Sequence, residues 1–230
     1  MREIVLDTET TGLSADNGDR LVEIGCVEIV NLMPTGTHFH RYINPERPMN
    51  PDAQAVHGLG DAFLADKPTF SEVAGDFLDF ITDAPLVIHN APFDMGFLNM
   101  ELRRLGLPEL PMSRAVDTVA IARRRFPGAQ ANLDALCRRY GIDNSDRDLH
   151  GALIDADLLA RVYLELRGGR QPGLTLAADG GSARGAETGQ TPVTRVDRSG
   201  RTPRVLEPSE AEAAAHAALL EKIEEPVWTR

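Results

Sequence analysis

Apolar and polar positions fall into blocks that predict three strands early in the chain, near 3–9, 21–31 and 37–44. Mostly helical patterns follow. A helix is expected near 70–82, a short strand at 86–89 from Leu86-Val87-Ile88, and helices near 92–105, 114–126, 132–140 and 152–167. A strand meander followed by helices reads as an α/β domain, a mixed sheet covered by helices. Asn50-Pro51-Asp52 and Val56-His57-Gly58 lie in a polar, proline-bearing stretch expected to be a loop, where binding residues tend to sit. The apolar pattern stops near Gly168-Gly169, so the domain is expected to span 1–169.

The first strand ends in Asp7-Thr8-Glu9, two carboxylates on alternate positions after Ile4-Val5-Leu6. With a period of two, both side chains emerge on one face. Paired ionised acids repel, so the arrangement is stable chiefly when cations or donors lie between them. Two later segments are suited to complete such a site. His89-Asn90-Ala91-Pro92-Phe93-Asp94 follows the short strand and suits a helix start, which puts Asp94 in the first turn. His150 precedes Asp155 by five positions, about 140° off a common helix face, so His150 is expected in the loop and Asp155 on the helix. Taken singly, Asp7 suits a cap, Asp94 a first-turn acid and Asp155 a solvated helix position. Ordinary capping does not explain paired acids on a strand together with a distant histidine and aspartate. Asp148 and Asp157 flank the last pair and read as surface residues, and Phe93 as core.

Phosphodiester hydrolysis fits this set. It requires an activated water and charge stabilisation on both the attacking and leaving oxygens, which two hard cations about 3.5–4 Å apart supply. Oxygen donors without cysteine suit Mg²⁺, with Mn²⁺ as substitute.

The segments Asp7-Thr8-Glu9-Thr10-Thr11-Gly12-Leu13, Val56-His57-Gly58, His89 to Asp94, and His150 with Asp155 together resemble the motifs of the DEDDh 3′–5′ exonuclease family. Among its members they are similar to the proofreading subunits of bacterial DNA polymerase III. The resemblance covers residues 1 to about 167, and no departure occurs at the four acids or the histidine. It implies the ribonuclease H-like fold, with the acids gathered at one edge of the sheet. It also implies two metal ions, with Asp7 bridging both, Glu9 and Asp155 holding one, and Asp94 acting largely through water. His150 would be the base. The terminal nucleotide would meet Asp7, Glu9 and Asp155, with Asp52 and His57 beside it. His57 equally suits a cap of the following turn.

From Arg170 to about Pro208 the chain turns to Gly, Pro, Ser, Thr and Arg, the composition of a flexible linker. Ser209-Glu210-Ala211-Glu212 then has capping-box spacing and opens an alanine-rich helix, followed by Trp228, the one tryptophan. Residues 209–230 thus read as a terminal helix with an apolar anchor, against the alternative of a frayed tail. Gln171, Leu174 and Leu176 resemble the short motif that binds the sliding clamp (beta). In the same family the tail, here with Trp228, tethers the nuclease to the polymerase catalytic (alpha) subunit. Whether a small accessory (theta) subunit joins them stays open.

The net charge of −11 is at odds with gripping duplex DNA, whose affinity usually requires a basic face. A pocket for a few single-stranded nucleotides at a 3′ end does without one if a partner holds the duplex. Cys26 and Cys137 show no metal-ligand spacing and are expected as buried thiols in a reducing compartment. With no signal peptide and no membrane-length apolar run, a cytoplasmic enzyme is expected. Two other functions share these features. One is an exoribonuclease, since the acids do not read the 2′-OH. The other is an adaptor without catalysis.

Overall fold

The computed structural model describes residues 1–145, 149–169 and 208–222. The chain divides into two compact units, Met1–Leu176 and Ala177–Arg230. Five strands form one sheet in the first: β1 (Arg2–Thr10), β2 (Leu21–Val30), β3 (Met33–Tyr42), β4 (Leu86–Ile88) and β5 (Ala115–Asp117). Their order is β3-β2-β1-β4-β5, with β1 antiparallel to β2, β2 antiparallel to β3, and β4 parallel to both β1 and β5. The expected meander and mixed sheet are therefore present. Asp7 and Glu9 lie at the carboxyl end of the central strand, β1.

Each face of the sheet carries helices. Ile4, Leu6, Ile24, Leu86 and Ile88 pack with residues of α3 (Phe70–Ile81) and α4 (Ala91–Arg104). On the opposite face Val5, Val27 and Val87 pack with residues of α6 (Leu133–Tyr140) and α7 (Ala152–Leu166). β1 alternates between the two layers. Glu3 accepts a hydrogen bond from the Tyr163 hydroxyl on α7 at 2.9 Å, whereas Thr8 donates to Asp94 on α4 at 2.7 Å. Asp7 and Glu9 share the parity of Glu3 and Val5, and so face α7.

Three boundaries differ from the sequence expectation. β3 starts at Met33, because Asn31 and Leu32 turn the chain in two residues with φ of 52° and 67°, as a tight hairpin requires. The stretch expected as a loop contains helix α1 (Pro51–His57), and the short helix α2 (Asp61–Leu64) follows it. The Asn50 side chain accepts from Asp52 N at 2.9 Å, Pro51 opens the helix, and Gly58 closes it at φ 77°. The helix expected over 114–126 is strand β5 followed by α5 (Thr118–Arg125). Three residues are too few to show a period, and pairing with β4 overrides the helical reading. The Asp117 side chain accepts from Val119 N at 3.0 Å and caps α5.

Both cysteines are buried, and burial holds the Cys26 thiol well above its usual range. No helix among the described residues is long and apolar enough to cross a membrane. In the second unit, Ser209 and Glu212 exchange capping bonds at the start of α8 (Glu210–Leu220). Gln171, Leu174, Leu176 and Trp228, like Asp148, lie outside the described residues.

Candidate active site

Asp7, Glu9, Asp94, His150 and Asp155 all line one cleft of about 400 Å³ at the carboxyl end of β1. Donor atoms of Glu9, His150 and Asp155 lie within 4.8 Å of one another, close enough to surround a single cation. His150 Nδ1 is 3.4 Å from Asp155 Oδ2; the imidazole is half exposed and the carboxylate buried. His150 does lie in the loop before α7, and its backbone N–H donates to Val56 O at 3.2 Å. Helix α1 thereby holds the histidine loop. Leu149 packs so closely on Gly58 that a Cβ there would stand 2.7 Å from Leu149 Cδ1.

Asp155 reaches the strand acids because α7 comes against the sheet at Gly25, which pairs with Asp7. A Cβ on Gly25 would stand 2.3 Å from Ala152 C and Leu153 N, so only glycine admits the helix this near. Asp94 arrives from the other layer, at the first turn of α4, and is 3% exposed. Burial pushes its carboxyl up to about 7, and the Thr8 hydroxyl acts in the opposite sense by donating to it. A buried acid with that environment is poised to ionise when cations enter.

Asp52 and His57 are not in this cleft. They line a neighbouring one of about 390 Å³, which shares Glu9 and Phe93 with the first. His57 Nε2 meets Thr10 O at 3.3 Å, and Nδ1 accepts from Leu59 N at 3.0 Å. A carbonyl only accepts, so Nε2 carries the proton. Burial lowers the pKa of His57, which favours this neutral form. Both nitrogens serve the backbone, including the turn cap, while His57 lines the cleft. Phe93 is half-buried: it packs on the core, as expected, and also forms cleft wall.

Three features escaped the sequence reading. Thr8 stands inside the Asp-Thr-Glu motif, yet its bond to Asp94 spans 86 positions. Gly25 carried no local signal. His89, which opens the segment leading to Asp94, lines the acid cleft. The Thr118 hydroxyl donates to Ile88 O at 3.2 Å, so His89 Nδ1 is the donor to Thr118 Oγ1 at 2.9 Å, which fixes its tautomer.

A family model described as Exonuclease (RNase_T) matches residues 4–163. DNA polymerase III subunit epsilon of Rickettsia felis is 48% identical over 227 residues, covering 97% of each chain. The subunit of the same name from Escherichia coli (strain K12) is 46% identical, covering 97% of this chain and 93% of that one. Among solved structures, exonuclease X in complex with 5′ overhanging duplex DNA is 27% identical, with a TM-score of 0.56 over 72% of this chain and 90% of that one. The nuclease domain of 3′hExo, a DEDDh family member bound to rAMP, shares the fold at 18% identity, with a TM-score of 0.62 over 73% and 90%. With matches of this extent on both the domain and the whole length, the chain belongs to the RNase_T exonuclease family and, within it, to the epsilon subunits of bacterial DNA polymerase III.

Proposed function

We propose that this chain is the proofreading 3′–5′ exonuclease of a bacterial DNA polymerase III, removing misincorporated nucleotides from primer 3′ ends as nucleoside monophosphates. The observation that carries the reading is the convergence of Glu9, Asp155 and His150 within 4.8 Å, in a cleft that Asp7 and Asp94 also line. Asp7, Glu9, Asp94 and Asp155 would hold two divalent cations, and an all-oxygen acid set suits Mg²⁺ or Mn²⁺. Such cations, when bound, supply Lewis-acid polarisation of the phosphate and charge neutralisation.

The chain's own residues do the rest. His150 takes the proton of the attacking water, and Asp155, 3.4 Å from Nδ1, orients and charge-stabilises the imidazole. The water oxygen bonds to phosphorus as the P–O3′ bond breaks and the leaving O3′ takes a proton from solvent, giving a 5′-monophosphate and a new 3′-hydroxyl on the shortened strand. Asp52, His57 and Phe93 bound the neighbouring cleft, where the terminal nucleotide would lie. A mispaired end melts more readily into such a cleft than a paired one.

The partners proposed are DNA 3′ ends and the polymerase III assembly named in the relatives, with Gln171, Leu174 and Leu176 for the sliding clamp and Trp228 for the catalytic (alpha) subunit. A theta-type accessory subunit has no observation on this chain to support it. The organisation proposed is a nuclease domain over 1–169, a linker over 170–208 and an anchor over 209–230, in the cytoplasm.

The test is mononucleotide release from single-stranded DNA, matched and mispaired primer duplexes, and RNA of the same sequence, with Mg²⁺ or EDTA. Fast Mg²⁺-dependent release from single-stranded and mispaired DNA is expected, and His150→Ala should lower kcat by about 10²–10⁴-fold. Preference for RNA would assign the alternative exoribonuclease reading, and no metal-dependent release would leave an adaptor.

A further inference from the structure

Besides the Thr8–Asp94 bond, a second polar clamp joins α4 to the segment that continues β1. Arg20 Nε and Nη2 donate to the two carboxylate oxygens of Glu101 at 2.5 and 2.8 Å, and Nη1 donates to Pro45 O at 3.3 Å. Glu101 is 2% exposed. It follows Asp94 by seven positions, which on a helix returns to nearly the same face. Apolar residues of similar volume often match or exceed the stability of a buried ion pair, so stability alone does not explain this one.

What Arg20 holds is the loop between β1 and β2. Thr11 N–H donates to Arg20 O at 2.8 Å, and Arg20 N–H donates to Thr11 Oγ1 at 3.0 Å. Within the loop, Thr10 Oγ1 donates to Gly12 O at 2.6 Å. Gly12 lies so near Asp19 that a Cβ would stand 2.3 Å from Oδ2. Asp19 in turn pairs with Arg47 at 3.0 Å. This bracing presents Leu13, 87% exposed, at the second cleft. Phe93 of α4 and Val56 of α1 form other walls of that cleft. The Arg20–Glu101 pair therefore ties the Leu13 loop to the helix that carries Phe93.

We infer that Arg20 and Glu101 are positioning residues for substrate discrimination, fixing the gap between Leu13 and Phe93 through which an unpaired terminal base enters. The inference rests on the exonuclease reading above. Neither residue lines the acid cleft, and the Thr8 bond still ties Asp94 and the start of α4 to β1, so loosening the pair frees the Leu13 loop and leaves the hydrolytic groups in place. A wider gap grips a single strand less well and no longer requires the same degree of melting, so paired and mispaired ends become more alike.

The experiment uses the full chain with Mg²⁺ and two variants. Arg20→Met combined with Glu101→Leu leaves no lone buried charge, and Glu101→Gln keeps shape and part of the hydrogen bonding. Three activities are compared: hydrolysis of the p-nitrophenyl ester of thymidine 5′-monophosphate, digestion of a single-stranded oligonucleotide, and the mispaired-to-matched rate ratio on primer duplexes. Ester kcat/KM is expected within about twofold of the parent, with oligonucleotide KM raised about tenfold and the mispair ratio reduced about threefold or more. Glu101→Gln should fall between. Oligonucleotide KM and mispair ratio both within about twofold of the parent would overturn the inference. So would equal loss on ester and oligonucleotide, the mark of a general structural role. Should the double variant fail to fold, Glu101→Gln decides by the same criteria. A parent that hydrolyses the ester but no DNA would instead overturn the exonuclease reading, and the inference with it.

Discussion

A carboxyl group at Asp94 is a different chemical object from those at Asp7 and Glu9, although all three line one cleft. It is reached through the other layer of the sheet, and burial pushes it up to about 7, against the pull of the Thr8 hydroxyl. A carboxyl raised in the folded state contributes stability that is fully present below its unfolded value, about 3.9, and lost as pH rises through the folded value. Without metal, the parent should thus lose stability relative to Asp94→Asn between about pH 4 and pH 7, with no further loss above that. Thermal melts of both proteins in EDTA across that window check this, and a constant difference would show that Asp94 ionises like an exposed acid. Saturating Mg²⁺ should flatten the trend, since cations stabilise the ionised form.

At the scale of elements, the site depends on two helices approaching one strand from opposite faces. α7 brings Asp155 because Gly25 leaves no side chain under Ala152 and Leu153. Gly25→Ala should push the start of α7 outward, and displacement of about 1 Å at a catalytic group is enough for a loss of about 10²-fold in kcat. Gly36→Ala is the control: at φ 87° with no atom within 4 Å of its Cβ, it strains a hairpin far from the cleft and should leave kcat unchanged. Nucleotide release from single-stranded DNA separates the two. The contrast also marks what a sequence discloses. The alternation Asp7-Thr8-Glu9, the helix start before Asp94 and the loop position of His150 are local, and local patterns set them. Gly25 and Thr8 owe their roles to neighbours far along the chain, and a glycine or threonine in a strand carries no sign of them. The β5 strand is short and exists through pairing with β4. Helix α1 shows the opposite case: Asn50, Pro51 and Gly58 are ordinary start and stop signals, but the polar composition between them outweighed those signals in the reading.

For the whole molecule, the question is how a chain of net charge −11 engages a polyanion. The two clefts, of about 400 and 390 Å³, meet at Glu9 and Phe93 and together offer space for only a short stretch of strand. The acid cleft attracts phosphate only once cations fill it, so binding draws on metal and base contacts more than on a basic track. Each phosphate neutralised on a single strand contributes a slope of about −0.7 in log affinity against log salt. The isolated chain should therefore show a slope no steeper than about −2 for log kcat/KM on single-stranded DNA, measured at fixed free Mg²⁺, as expected for three phosphates or fewer. A slope near −5 would require a basic surface spanning many nucleotides, and would mean that this chain grips DNA by itself. With the shallow slope, retention on a primer end has to come from a tethered partner, because raised local concentration replaces affinity. Release of successive nucleotides by the isolated chain should then be distributive, and dilution after the first turnover should arrest digestion at intermediate lengths.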